Sequence, residues 1–154
     1  MTKLDNKYEK LFTEINFPDE TQIYNTFPFK KISLITSPCF GTCPVYELTL
    51  YRNGKAEFNG VRYVTPEGKY KGRFDFREFG KLCLIIEKLN ILDLENNYSV
   101  DWTDDAGTIV KITAENGYEK VIDDYGNSGP IELFALQKTL MSFKNSIKWE
   151  KTET

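Results

Sequence analysis

At 154 residues, 40 % of them hydrophobic and 28 % charged, the chain is long enough to bury one core without staples and too apolar to stay disordered. Its net charge of −3 argues against a nucleic-acid partner, which needs a concentrated positive field. The chain contains no histidine, which removes the usual general base near neutral pH and the commonest metal ligand. This excludes His-dependent triads but not carboxylate or lysine chemistry; with no catalytic constellation in the sequence either, the expectation is no enzyme, no cofactor and no metal.

The spacing of Leu4, Tyr8, Leu11, Phe12 and Ile15 predicts an amphipathic helix within residues 1–18, closed by Pro18. That segment has no apolar core of the secretory kind. The chain therefore reads as cytoplasmic as written, or as periplasmic or envelope-associated if an export signal was trimmed. No apolar run approaches the roughly 18 to 20 residues of a membrane span.

Residues 30–148 read as a single α+β domain. Lys31 to Ser37 alternate like a strand. A compact loop from Pro38 to Pro44 follows. Val45–Arg52 and Lys55–Val64 then form a hairpin around Asn53-Gly54. Only a three-residue loop, Arg52-Asn53-Gly54, sets Leu50 opposite Ala56 and Leu48 opposite Phe58, keeping the apolar face continuous with Gly54 left-handed. Lys69 to Phe74 adds a strand whose basic side chains read as a solvated face. Asp75 is the N-cap of the next helix, with Phe79, Leu82, Cys83, Ile86 and Leu89 as its buried stripe and Asn90 as its stop.

A second hairpin, Gly107–Glu115 and Tyr118–Tyr125, turns at Asn116-Gly117; Val121 and Ile122 compete for its core face. Pro130 opens the last helix, with Leu133, Leu136, Leu140, Phe143 and Ile147 as its stripe. Residues 149–154 read as a polar tail that frays. The sum is a twisted antiparallel sheet of about five to seven strands with two helices on one face and an additional N-terminal helix. A weak strand–strand–helix repeat is carried by the two Asn-Gly turns.

Chemistry concentrates in two places. Cys39 and Cys43 lie in a loop pinched by Pro38, Gly41 and Pro44, where a bend brings two thiols toward disulfide range. Packed or bridged structural cysteines, a redox pair and a metal site compete there; three cysteines without histidine are a poor zinc set. Asp101, Asp104 and Asp105, and Asp123 with Asp124, are candidate acidic sites, set against the ordinary reading of exposed loop carboxylates.

The segment Pro38-Cys39-Phe40-Gly41-Thr42-Cys43-Pro44-Val45-Tyr46 resembles the C-F-G-x-C-P-x-Y loop of a bacterial domain family of unknown function, common in Bacteroidota. The likeness runs from about Ile32 to Phe143 and continues in Thr103-Asp104, Thr108, Lys120, Asp124-Tyr125-Gly126 and Pro130-x-x-Leu133. It implies the fold but no activity, and many such relatives look like envelope proteins. Aromatic residues on short hairpins suit an interface. The leading expectation is thus a non-enzymatic protein-binding module of unknown partner, of inhibitor or immunity type. A thiol–disulfide protein using Cys39 and Cys43 and an envelope accessory domain are the alternatives.

Overall fold

The computed structural model describes residues 29–39, 41–100 and 106–152. The predicted N-terminal helix, Phe40, and Asp101, Asp104 and Asp105 lie outside the described residues.

Phe29–Thr36 forms β1, Val45–Tyr51 β2, Lys55–Arg62 β3 and Gly68–Arg73 β4. Helix α1 spans Phe76–Lys88 and is followed by a 3-10 turn, Ile91–Asp93, and by β5, Asn97–Tyr98. Strands β6 (Gly107–Ala114) and β7 (Glu119–Tyr125), helix α2 (Ile131–Ser146) and β8 (Glu150–Lys151) complete the order. One eight-stranded sheet runs β5-β7-β6-β1-β2-β3-β4-β8. The fold class is α+β. The sheet is mixed and larger than expected, because β5 pairs in parallel with β7 and β8 adds to β4. Both extra strands are two residues long, too short to show alternation.

The first hairpin has the predicted register, with Leu50 opposite Ala56 and Leu48 opposite Phe58. Its loop closes through the N–H of Gly54 donating to the Tyr51 carbonyl at 3.0 Å, with Gly54 at φ +91°. In the second hairpin Ile122 takes the core position opposite Val110, leaving Val121 on the other face. The central strand β1 joins the two halves. Ile32 lies between Leu50 and Ile112, and Leu34 between Leu48 and Val110.

These inward side chains form one cluster with Phe79, Leu82, Cys83 and Ile86 of α1 and Leu133, Leu136 and Leu140 of α2. Both helices therefore cover the same face. Truncating a fully buried leucine such as Leu82 costs about 2–5 kcal/mol, so this layer supplies most of the cohesion. Asp75 caps α1 by accepting from the Arg77 N–H at 3.0 Å, while Glu78 faces Lys81 at 3.3 Å instead of reaching back to the cap. Asn90 follows the helix in the left-handed region, φ +54°. Pro130 stands one position earlier than expected, as the N-cap of α2.

The tail does not fray up to Thr152. The ring of Trp149 packs 5.4 Å from that of Phe58, and its Nε1–H donates to the Lys144 carbonyl. Glu150 and Lys151 pair with β4. A side chain at Gly72 would collide with Ile147, a contact 2.5 Å away, so a glycine in β4 makes room for the returning chain.

Candidate functional site

One rim of the sheet gathers the end of β1, the start of β2, the start of β6 and the end of β7. Thr36 holds the loop entrance: its Oγ1 donates to the Pro44 carbonyl at 2.8 Å and accepts from the Tyr46 N–H at 2.9 Å. A bulge at Val45/Tyr46 accommodates this latch. Ser37 ties the rim across to β6. Its Oγ accepts from the Gly107 N–H at 3.0 Å and donates to the Gly107 carbonyl at 3.2 Å. A Cβ at Gly107 would sit 2.9 Å from that Oγ, so any larger residue there must displace the Ser37 hydroxyl from its two bonds.

Between these anchors Cys39 and Cys43 are joined, with S–S 2.08 Å and Cα–Cα 5.7 Å. Both are half-buried, while Pro38, Gly41 and Pro44 are exposed. The Gly41 N–H donates to Cys39 Sγ at 3.3 Å. Tyr46 turns into the core against Phe58, 5.5 Å between rings, and burial pushes its hydroxyl pKa up. Cys83, the remaining thiol, is buried in the α1 stripe, which pushes it up to about 12. It is far from a reactive thiolate.

The two carboxylates at the end of β7 part company. Successive strand residues face opposite sides, so Asp123 lies on the uncovered face while Asp124 is buried beneath the helices, 2 % exposed. Asp124 Oδ1 accepts from the Gly129 N–H at 3.0 Å and Oδ2 from Gln137 Nε2 at 2.9 Å. Gln137 also donates to Thr108 Oγ1 at 2.7 Å. This trio fixes the β7–α2 turn under the rim and leaves no shared acidic site between Asp123 and Asp124. In the sequence Gln137 is marked only as a polar residue four positions after Leu133 on an apolar stripe. Lys120 is likewise buried on the covered face, donating to the Leu94 carbonyl. Among the described residues no group of three or more Cys, Asp or Glu is placed to hold a metal ion, and no helix is long and apolar enough to cross a membrane.

Among the described residues no helix lies on the opposite face of the sheet. Its outward positions include Glu47, Thr49 and Tyr51 on β2, Lys55, Glu57 and Asn59 on β3, and Lys69, Lys71 and Arg73 on β4. Ser33, at its centre, is buried and hydrogen-bonds Thr49 Oγ1 at 3.1 Å. Tyr51 is pushed up to about 12, chiefly because its hydroxyl bonds Glu57. The β2–β3–β4–β8 part of this face curves into an open groove of about 1020 Å³.

No curated protein matches the chain. A family model described as Domain of unknown function (DUF6438) matches residues 30–144. That span takes in the rim, the Cys39–Cys43 loop and every element up to α2, and the chain belongs to this DUF6438 family.

Proposed function

We propose that the chain is a non-enzymatic protein-binding module that meets its partner on the uncovered sheet face, in the manner of an inhibitor or immunity protein. The observation that carries this reading is the one-sidedness of the sheet among the described residues: two helices bury one face, while the other presents an open groove bordered by charged side chains. The rim supports it further, since its carboxylate is already satisfied by two donors and its tyrosine is committed to the core.

The test is affinity purification from the native cell with the full chain, followed by mass spectrometry. Thr49→Arg, which plants a bulky charge in the groove, is run beside Lys138→Glu on the outer side of α2. The reading expects a reproducible partner lost with Thr49→Arg and kept with Lys138→Glu. A partner retained by both variants, or none recovered, removes it.

The half-exposed Cys39–Cys43 bond favours a second reading, a thiol–disulfide protein. It expects the bond to exchange with glutathione and the partner to be trapped as a mixed disulfide by Cys43→Ser. A partner kept when both cysteines are serine excludes it.

A further inference from the structure

We propose that the basic stripe of the groove, Lys69, Lys71 and Arg73 of β4 with Lys55 of β3, docks an extended acidic segment of the partner protein. The proposal rests on the binding-module reading and names the chemistry of what that module takes.

The groove lining holds five basic and three acidic residues in a chain whose net charge is −3. Positive charge is thus concentrated on one patch of an otherwise acidic molecule. Lys69, Lys71 and Arg73 alternate along β4, all exposed and all on the uncovered side. Lys55 lies directly opposite Arg73. Like charges at directly opposed positions destabilise a sheet, so the arrangement costs stability unless an anion is bound.

Among the described residues none of the four side chains makes a hydrogen bond or an ion pair. Lys71 stands between Glu57 of β3, which is engaged by Tyr51, and Glu150 of β8, and forms an ion pair with neither, so the excess positive charge lies at Lys69 and at Arg73 with Lys55. Elsewhere the molecule does pair its lysines, as Lys81 with Glu78 shows.

The spacing selects an occupant. Alternate residues on a strand repeat at about 7 Å. An extended peptide with a carboxylate at every second residue repeats at the same pitch, so each carboxylate meets one cation of the stripe. Nucleic acid fits less well. Single strands bind on several exposed aromatic platforms beside the basic groove, whereas Phe58 and Tyr70, which flank the stripe, belong to the covered side and Tyr51, on the stripe's own side, holds its hydroxyl on Glu57. The overall negative charge also repels a long polyanion more than a short acidic segment.

The experiment measures fluorescence polarisation of labelled peptides with the full chain. One peptide carries glutamate at every second position and serine between. Its isomer has the same glutamates in one block, and an oligothymidylate of equal charge is the third probe. The alternating peptide is expected to bind best, and to weaken about tenfold when the Debye length is cut from about 10 Å to about 5 Å with salt. Lys69→Glu with Arg73→Glu abolishes binding, while Lys81→Glu with Lys138→Glu, the same charge change on the helices, leaves it within about twofold. Should the first pair fail to fold, Lys69→Ala with Arg73→Ala, which also relieves the Lys55–Arg73 repulsion, carries the test with an expected loss of about tenfold.

Equal loss in both charge-reversed pairs, no discrimination between the peptide isomers, or tighter binding of the oligothymidylate overturns the proposal. Self-association that the stripe variants abolish, seen by light scattering without peptide binding, overturns it in favour of a second copy. A native partner captured equally by wild type and the stripe variants overturns it too, yet leaves the binding-module reading standing. Absence of any native partner beside firm peptide binding does the reverse.

Discussion

Gly54 and Gly117 form a matched pair that separates backbone strain from steric contact. Their φ angles are +91° and +92°, and each closes a hairpin after an asparagine. A substitution by alanine puts the same strain on both, about 1–2 kcal/mol for an L-residue in the left-handed region. Their surroundings differ. At Gly117 an added Cβ meets nothing within 4 Å, whereas at Gly54 it lies 2.6 Å from the Phe74 carbonyl oxygen.

Relief at Gly54 must move backbone. The Phe74 N–H donates to the Gly54 carbonyl at 2.9 Å, and that bond holds the β4–α1 junction against the hairpin. Its loss adds about 0.5–1.5 kcal/mol, or more where a buried group is left unpaired. Gly117→Ala is therefore expected to cost about 1–2 kcal/mol and Gly54→Ala about 2–4 kcal/mol. Asparagine softens the first but not the second, because the offending atom at Gly54 is the Cβ itself. Urea unfolding followed by tryptophan fluorescence gives both numbers. Equal losses at the two glycines would falsify the steric account and leave strain alone.

Leu82→Ala is expected to lose about 2–5 kcal/mol in the same assay through its cavity, and Asp75→Ala clearly less, since that cap is exposed. The Arg77 side chain holds the Asp75 carboxyl at about 2. Its contribution is present above the ordinary carboxylate range and disappears as pH falls toward 2, so Asp75→Asn should flatten stability between about pH 4 and 2. Reducing the Cys39–Cys43 bond, whose sequence separation is only 4, should remove no more than about 2 kcal/mol by loop entropy; a larger loss points to the rim as a folding anchor. Folded protein should label at Cys83 only as fast as it opens globally, which hydrogen exchange measures independently. Deleting residues 147–152 uncovers Phe58, Tyr70 and Gly72 and should cost at least about 2 kcal/mol; an unchanged urea midpoint would mean that the tail does not seal the sheet edge.

The parts of the fold legible in the sequence are those where one residue pattern has one physical solution. The register of the first hairpin follows from keeping Leu48, Leu50, Ala56 and Phe58 on one side, and only one loop length does so. The second hairpin resisted because Val121 and Ile122 are equally apolar. Its register is set by the partners, with Ile122 opposite Val110, which is itself paired to Leu34 of β1. No local window contains that information.

The tail shows the same limit more sharply. Lys148, Glu150 and Lys151 are polar and read as solvent-exposed, which they are. What holds the segment is Trp149 on Phe58 and the backbone edge of β4, and a strand edge recruits a neighbour through N–H and C=O groups that every residue carries. The glycine that admits the tail, Gly72, sits in a different strand some 75 residues earlier, so neither half of the fit is visible alone.

The candidate sites divide along that line. Cys39 and Cys43 are close in sequence, and their proximity follows from the loop. Asp123 and Asp124 are closer still, yet the pleat sends them to opposite faces. Asp124 acquires its partners from Gln137 and Thr108, supplied by a helix and another strand. The stripe of Lys69, Lys71 and Arg73 is a basic run in the sequence, where it reads as a solvated face. In the sheet β3 places Lys55 directly across from Arg73, and neither has a partner among the described residues. Adjacency in the chain thus says little about a polar group's role in this sheet. Its strand parity decides which face it serves, and the neighbouring strand decides whether it is satisfied there or left available to a partner.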